Sequence, residues 1–366
     1  MTESALDRAI GRLIWVGVRG TTPGDAVLEA EIDRCAAAHV GGVILFDVDV
    51  PKRDRLRAEG LSEPDARLGA PRNILSPDQT RGLVEHLRAR LGDDLIVSVD
   101  QEGGHVSRLN ARRGFAESPS PGAFARLDDA ARRRAAATLA QTVASAGCDL
   151  NLAPCVDVAV NPDGPGHTAL GRSFGRDPER VAALAREQIE AMRRAGVHAC
   201  LKHFPGHGSA RGDTHLGLVD ITDTWIRDDE LRPYQELKDL ADAVMISHLV
   251  HRGLDPERPC SVSPRVIDGL LRAELGYDGV VVTDSLDMRA VSERFAPGEA
   301  GVLALQAGAD VVLEANNLAK PAPCPAPEIH AAIRAAVEDG RLDERRVHQS
   351  AERIVRRLAR PTGASA

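Results

Sequence analysis

The sequence predicts an α/β protein built as a single (β/α)8 barrel, and three observations carry that expectation. Eight short apolar runs alternate with longer amphipathic stretches. Hydrophobic residues make up 43% of the chain but aromatics only 3%, so the core must be Val, Leu, Ile and Ala, the filling of a barrel interior. A length of 366 residues suits one such barrel with insertions.

The expected strands are 13–18, 43–46, 95–99, 150–156, 198–201, 243–246, 280–283 and 310–313. All are apolar or β-branched without strict alternation, as strands buried on both faces should be. Between them fall helical patterns at 77–91, 130–146, 178–195, 226–240, 264–275 and 297–307, several opening with Pro or an Asp or Ser cap. A large doubly wound sheet is the competing architecture for such alternation. Segment 47–76 is a long charged insertion after the second strand, read as a surface loop or a lid. A Pro-rich linker, 320–327, leads to two last helices at 328–338 and 343–358, and 359–366 reads as a flexible tail. No internal repeat and no second domain is visible, so 1–366 is expected to be one domain, its barrel spanning about 10–358.

Net charge is −8 with acids and arginines interspersed, which gives no electrostatic footprint for nucleic acid or an anionic membrane. The six cysteines show no C-x-x-C pair and no ligand spacing, so they are expected to act as small buried hydrophobes. The first residues, MTESALDRAIGRLIWVG, lack a basic segment followed by a long apolar run. The expectation is a cytoplasmic monomer or homodimer without a membrane span.

Polar residues crowd the strand ends, where a barrel carries its chemistry. The third strand ends in Asp100, Gln101 and Glu102, the fourth in Asp157, and the fifth in Lys202 and His203. The sixth ends in Ser247 and His248, the seventh in Thr283 and Asp284. A lone Asp after a strand is commonly a helix cap, and Asp157 is read as one. Five such ends in one chain point instead to an active site, because burying Asp, Lys and His costs several kcal/mol unless they pair or serve chemistry.

The densest cluster is KHFPGHGSARGDTH, residues 202–215. Its histidines raise the question of a metal. Pro205 and Gly206 separate His203 from His207, so the two share no helix face, and no metal is expected. Asp213 lies two residues before His215. An Asp there can fix the imidazole tautomer and leave the other nitrogen to move protons; the plain alternative is a capping Asp beside a surface His. Gly103 and Gly104 permit a tight turn after Asp100, from which Arg108 could return to the pocket. Arg172 sits on a glycine-flanked loop, in GRSFG.

Taken together, GRLIWVGV, GGVILF, VDQEGGHVSRL, NLAPCVDV, GRSFGRDP, LKHFPGHG, GDTHLGL, MISH and TDSLDM resemble glycoside hydrolase family 3, in its β-N-acetylglucosaminidase branch of the peptidoglycan-recycling type. The resemblance runs from about residue 11 to 315. It implies a cofactor-free retaining enzyme acting on a small glycoside or a muropeptide-type substrate. Asp284 would be the nucleophile, and His215 with Asp213 the acid/base. Asp100, Arg108, Arg172, Lys202, His203 and Met288 would hold the sugar. The chain departs from the pattern at His105, where Arg or Lys is usual, at Ser209–Ala210, at 314–317 and in the length of the 47–76 insertion. Three alternatives remain beside hydrolysis of N-acetylglucosaminides: phosphorolysis, a β-glycosidase for another small glycoside, and a non-catalytic sugar-binding barrel. Phosphorolysis has a physical motive. A neutral imidazole base spares an anionic nucleophile the repulsion of a carboxylate base, about 4 kcal/mol at 4 Å and an effective dielectric of 20.

Overall fold

The computed structural model describes residues 4–161, 170–212, 214, 217–318 and 322–358. Its eight barrel strands are β1 (Ile14–Gly17), β2 (Gly42–Leu45), β3 (Ile96–Val99), β4 (Leu150–Asn151), β5 (His198–Phe204), β6 (Ala243–Ile246), β7 (Val280–Thr283) and β8 (Val312–Glu314). All pair in parallel in the order β8-β1-β2-β3-β4-β5-β6-β7, and a bridge from Val282 to Val311 joins β7 back to β8. Almost every strand residue is buried, which explains the unbroken aliphatic runs. The (β/α)8 barrel is therefore as expected.

Strand and helix positions follow the sequence closely where amphipathicity is strong. Helices Pro77–Leu91 and Pro297–Ala307 have the expected bounds. Elsewhere the chain differs. Of the 150–156 run only Leu150–Asn151 forms a continuous strand; beyond it Cys155 pairs with Lys202 in an isolated parallel bridge. The fifth strand runs on to Phe204, three residues further, and so carries Lys202 and His203 within the sheet. Arg265–Glu274 closes i→i+5 turns as a π-helix.

The insertion is not a bare loop. It folds into two short helices, Val50–Ala58 capped by Asp49 and Glu63–Gly69 capped by Ser62. Two N-terminal helices, Ala5–Arg12 and Ala26–Ala37, also precede β1 and β2. The linker shortens, since the next helix already begins at Ala326. The expected tail at 359–366 lies outside the described residues. All six cysteines are buried thiols, and burial pushes those of Cys148, Cys200 and Cys260 up to about 12. No described helix is long and apolar enough to cross a membrane.

Candidate active site

At the C-terminal mouth of the barrel the strand ends surround a cavity of about 450 Å3. Strand β3 stops at Val99, and the chain turns after Asp100 into a small hairpin, Gln101–Gly103 against Val106–Ser107. Gln101 anchors it to the next strand: its N–H donates to Asn151 Oδ1, and its carbonyl accepts from Asn151 Nδ2, both at 2.9 Å. Gly103 makes the turn at φ +99, where a Cβ would stand 2.0 Å from the Pro119 carbonyl oxygen. The hairpin faces Glu102 inward and brings Arg108 back to the cavity wall.

A chain of buried charges crosses this side. Lys202 Nζ lies 2.7 Å from Asp100 Oδ1 and 2.7 Å from Glu102 Oε1. Arg172 grips Glu102 through two parallel bonds, Nη2 to Oε1 at 2.7 Å and Nε to Oε2 at 2.9 Å. Its Nη2 also reaches 3.5 Å from His203 Nε2, and His203 Nδ1 is 2.7 Å from Asp157 Oδ2. The other Asp157 oxygen accepts the N–H groups of His203, at 3.1 Å, and His207, at 2.8 Å.

Pairing outweighs burial throughout this chain. Burial alone would raise Glu102, but Arg172 and Lys202 hold its carboxyl far below the usual range. Asp157 behaves alike: burial opposes its charge, and the His203 ring and the His203 N–H overcome it. Lys202 and Arg172 are both pushed up, because their carboxylates more than offset desolvation. His207 goes the other way: burial lowers it to about 4, so its ring is neutral at ordinary pH.

Across the mouth, β7 delivers Asp284. Its N–H donates to the Ile246 carbonyl at 2.8 Å, and its Oδ1 accepts the Ser285 N–H at 2.7 Å. The following turn is fixed by Ser285 Oγ, which donates to Asp287 Oδ1 at 2.6 Å and accepts the Ala315 N–H at 2.8 Å. His248, on the sixth strand's exit, lies with Nε2 2.8 Å from the Ser285 carbonyl oxygen. Met288 is buried and lines the same cavity.

Among the described residues one group has ligand-like spacing, Cys155, Asp157 and His203. Its 2.7 Å N···O contact is a hydrogen bond, and the Cys155 thiol donates to Asp157 Oδ2 at 3.2 Å. The carboxylate is thus satisfied by protein donors without an ion.

The glycosyl hydrolase family 3 N-terminal domain matches residues 5–357. The chain belongs to glycoside hydrolase family 3. A β-hexosaminidase from Chromobacterium violaceum is 33% identical over 368 residues, covering 94% of each chain. A family 3 β-N-acetylglucosaminidase from Paenibacillus sp. has a solved structure that superposes with a TM-score of 0.82 at 32% identity. It covers all of this chain, which spans 64% of the Paenibacillus one. The β-N-acetylhexosaminidase structure from Beutenbergia cavernae gives a TM-score of 0.81 at 30% identity and covers 97% of this chain and 99% of its own.

In this family 3 barrel the strand-end residues singled out from sequence converge. Asp100, Arg108, Arg172, Lys202, His203, Asp284 and Met288 all line one cavity. Asp213 and His215 lie outside the described residues. Asp157 is not the helix cap expected of it. It is fully buried and fixes His203 and two backbone N–H groups, a role its sequence neighbours gave no cue for. Glu102, the shared partner of Lys202 and Arg172, was likewise visible only as one of three polar residues after β3. Asp287 and Asn317 were missed; the Asp287 Oδ2 accepts the Asn317 and Leu318 N–H groups at 2.7 and 3.1 Å, tying the β7 and β8 exits together.

Proposed function

We propose that this glycoside hydrolase is a retaining, exo-acting β-N-acetylhexosaminidase that removes terminal N-acetylglucosamine through a covalent glycosyl-enzyme on Asp284. The observation that carries the reading is the opposition of Asp284, just after β7, to the Asp100–Lys202–Glu102–Arg172 chain at the exits of β3, β4 and β5 across one cavity. A pyranose spanning that cavity can present its anomeric carbon to one carboxylate while its far hydroxyls meet the charged chain.

On this reading Asp284 attacks the anomeric carbon as the glycosidic bond breaks, and protonated His215 gives its proton to the leaving oxygen. Neutral His215 then takes a proton from water as that water displaces Asp284 and frees the sugar. Asp213 stabilises the imidazolium and orients the ring; an unperturbed imidazole, with pKa about 6.5, suits both halves of the cycle. Asp100 and His203 accept or donate to hydroxyls, and Lys202, Arg108 and Arg172 donate. Because Lys202, Arg172 and His203 are held by buried partners before substrate arrives, binding loses little in ordering them. Met288 supplies an apolar wall. A small N-acetylglucosaminide or muropeptide fragment is the substrate class, and peptidoglycan recycling in the cytoplasm the setting this reading favours.

The test is the stereochemistry of release. Hydrolysis of 4-nitrophenyl N-acetyl-β-glucosaminide, followed by proton NMR, should show the β-anomer of N-acetylglucosamine first. First appearance of the α-anomer would mean direct displacement by water and would overturn the covalent role of Asp284.

A further inference from the structure

A second cavity of about 410 Å3 adjoins the first, and the two share Val48, Arg67 and His105 in their walls. Its lining comes from the exits of β2 and β3 and from the insertion helix Glu63–Gly69; among the described residues none from the β7 or β8 exits contributes. In the strand order, β3 stands four places from β7, on the opposite side of the barrel. The second cavity therefore opens beyond the end of the catalytic pocket farthest from Asp284. In a pyranose ring C4 lies opposite C1, and the exocyclic C6 on C5 projects toward that same far edge. A sugar with C1 at Asp284 thus points its C6 end, not its leaving group, into this neck.

The neck is cationic. Inside it Arg67, Arg108, Arg172 and Lys202 face Asp47, Asp100 and Glu102, and a fourth carboxylate, Glu63, meets Arg67 from the outer wall. Arg108 and Arg67 are the loosely held members. Arg108 lies 3.8 Å from both Asp47 and Asp100, and its buried Nε has no hydrogen-bond partner. Arg67 is 3.3 Å from Asp47 and 3.8 Å from Glu63. Among them His105 feels the same field: burial lowers its pKa, and Arg67, Arg108 and Arg172 lower it further. Guanidinium groups with donors to spare are suited to a phosphate or carboxylate. The outer wall carries half-buried Glu63 and exposed Glu117, so the positive region is confined to the neck.

We infer that the neck between the two cavities, formed by Arg67, Arg108 and His105, is a binding site for an anionic substituent, a phosphate or carboxylate, on the C6 end of the sugar that is transferred. This rests on Asp284 receiving the anomeric carbon, as proposed above. The insertion then acts as a specificity element: it adds Arg67 to a pocket that would otherwise end at Arg108.

The test compares 4-nitrophenyl N-acetyl-β-glucosaminide with its 6-phosphate, and with an aglycone bearing a carboxylate on the nitrophenyl ring. The 6-phosphate should raise kcat/KM over the parent by about tenfold or more, as a charge-assisted Arg contact implies, and the charged aglycone should not. R67Q should cut the rate on the 6-phosphate about tenfold more than that on the parent. Equal or poorer cleavage of the 6-phosphate, or a preference that survives R67Q, overturns the assignment. So does a greater gain from the neutral β-1,4-linked disaccharide glycoside, which would make the second cavity a sugar subsite. Calorimetry keeps this separate from the hydrolase reading. N-acetylglucosamine 6-phosphate should bind more tightly than N-acetylglucosamine whether or not any glycoside is cleaved, and equal affinities overturn the site.

Discussion

The two ends of the barrel pair carboxylates in similar number but to different purpose. At the N-terminal end Asp149, Asp242 and Asp310 sit just before β4, β6 and β8. Each accepts a strand N–H from the neighbouring strand: Val97 at 2.8 Å, Ala199 at 3.1 Å and Val281 at 2.9 Å. Two of them are closed off by arginines, Asp149 by Arg88 and Asp310 by Arg272 and Arg353. In Asp149 and Asp310 both oxygens are engaged by the frame. At the C-terminal end Asp100, Glu102 and Asp157 are paired as tightly, but their partners Lys202, Arg172 and His203 line a cavity. A buried ion pair is thus no mark of function by itself; what distinguishes a site is that the partner's remaining donors face open space.

That contrast sets the largest expected effect on activity against the largest on stability. Asp100→Asn should lower kcat/KM on a nitrophenyl N-acetylglucosaminide by about two to three decades, with little loss of melting temperature, because Lys202 keeps Glu102. Asp310→Asn should do the reverse. It takes the buried carboxylate from two arginines, and breaking a buried pair costs about 3–5 kcal/mol, while kcat/KM at 25 °C should stay within about threefold. Equal damage to both quantities by both variants would erase the distinction.

Asp157 belongs to both categories and should behave so. Asp157→Asn retains an oxygen for the His203 and His207 N–H groups but no longer fixes the His203 tautomer. A fall of about ten- to a hundredfold in kcat is expected, along with about 1–3 kcal/mol of stability. Loss of stability alone would make Asp157 a frame residue like Asp149.

Smaller effects follow from pH. Glu102 and Asp157 have folded pKa values far below their unfolded ones, near 4. The stability they contribute is present above pH about 4 and is lost as pH falls below it. Glu230, beneath the 206–209 loop, has the opposite sign. Burial raises it to about 7 although its Oε2 accepts the Gly208 N–H at 3.1 Å. Its contribution is complete below about pH 4.5 and declines as pH rises through 7. Glu230→Gln should therefore narrow the difference in melting temperature between pH 5 and pH 7.5; an unchanged difference would show that Glu230 does not titrate there.

What could be read in the sequence follows the same line between frame and site. The strands were legible because burial on both faces demands aliphatic runs, and Lys202 and Asp284 because charge directly after such a run is costly. Asp157 was not, since a single Asp after a strand has an ordinary explanation and its partner His203 is 46 residues away. The insertion helices were hidden by their own polarity: the first has no buried residue, and the second buries only Ala66. Their contribution to the site, Arg53 and Arg67 on the cavity wall, emerges only when the chain folds back over the mouth.

Asp284 is expected to form a covalent bond to the sugar. A 5-fluoro N-acetylglucosaminyl fluoride, which retains the 2-acetamido group and slows release of the glycosyl-enzyme, should inactivate the protein in a time-dependent way. Peptide mapping by mass spectrometry should place the added sugar on Asp284. Attachment at Asp287, Asp100 or any other carboxylate, or full turnover of the reagent by the Asp284→Ala variant, would contradict it.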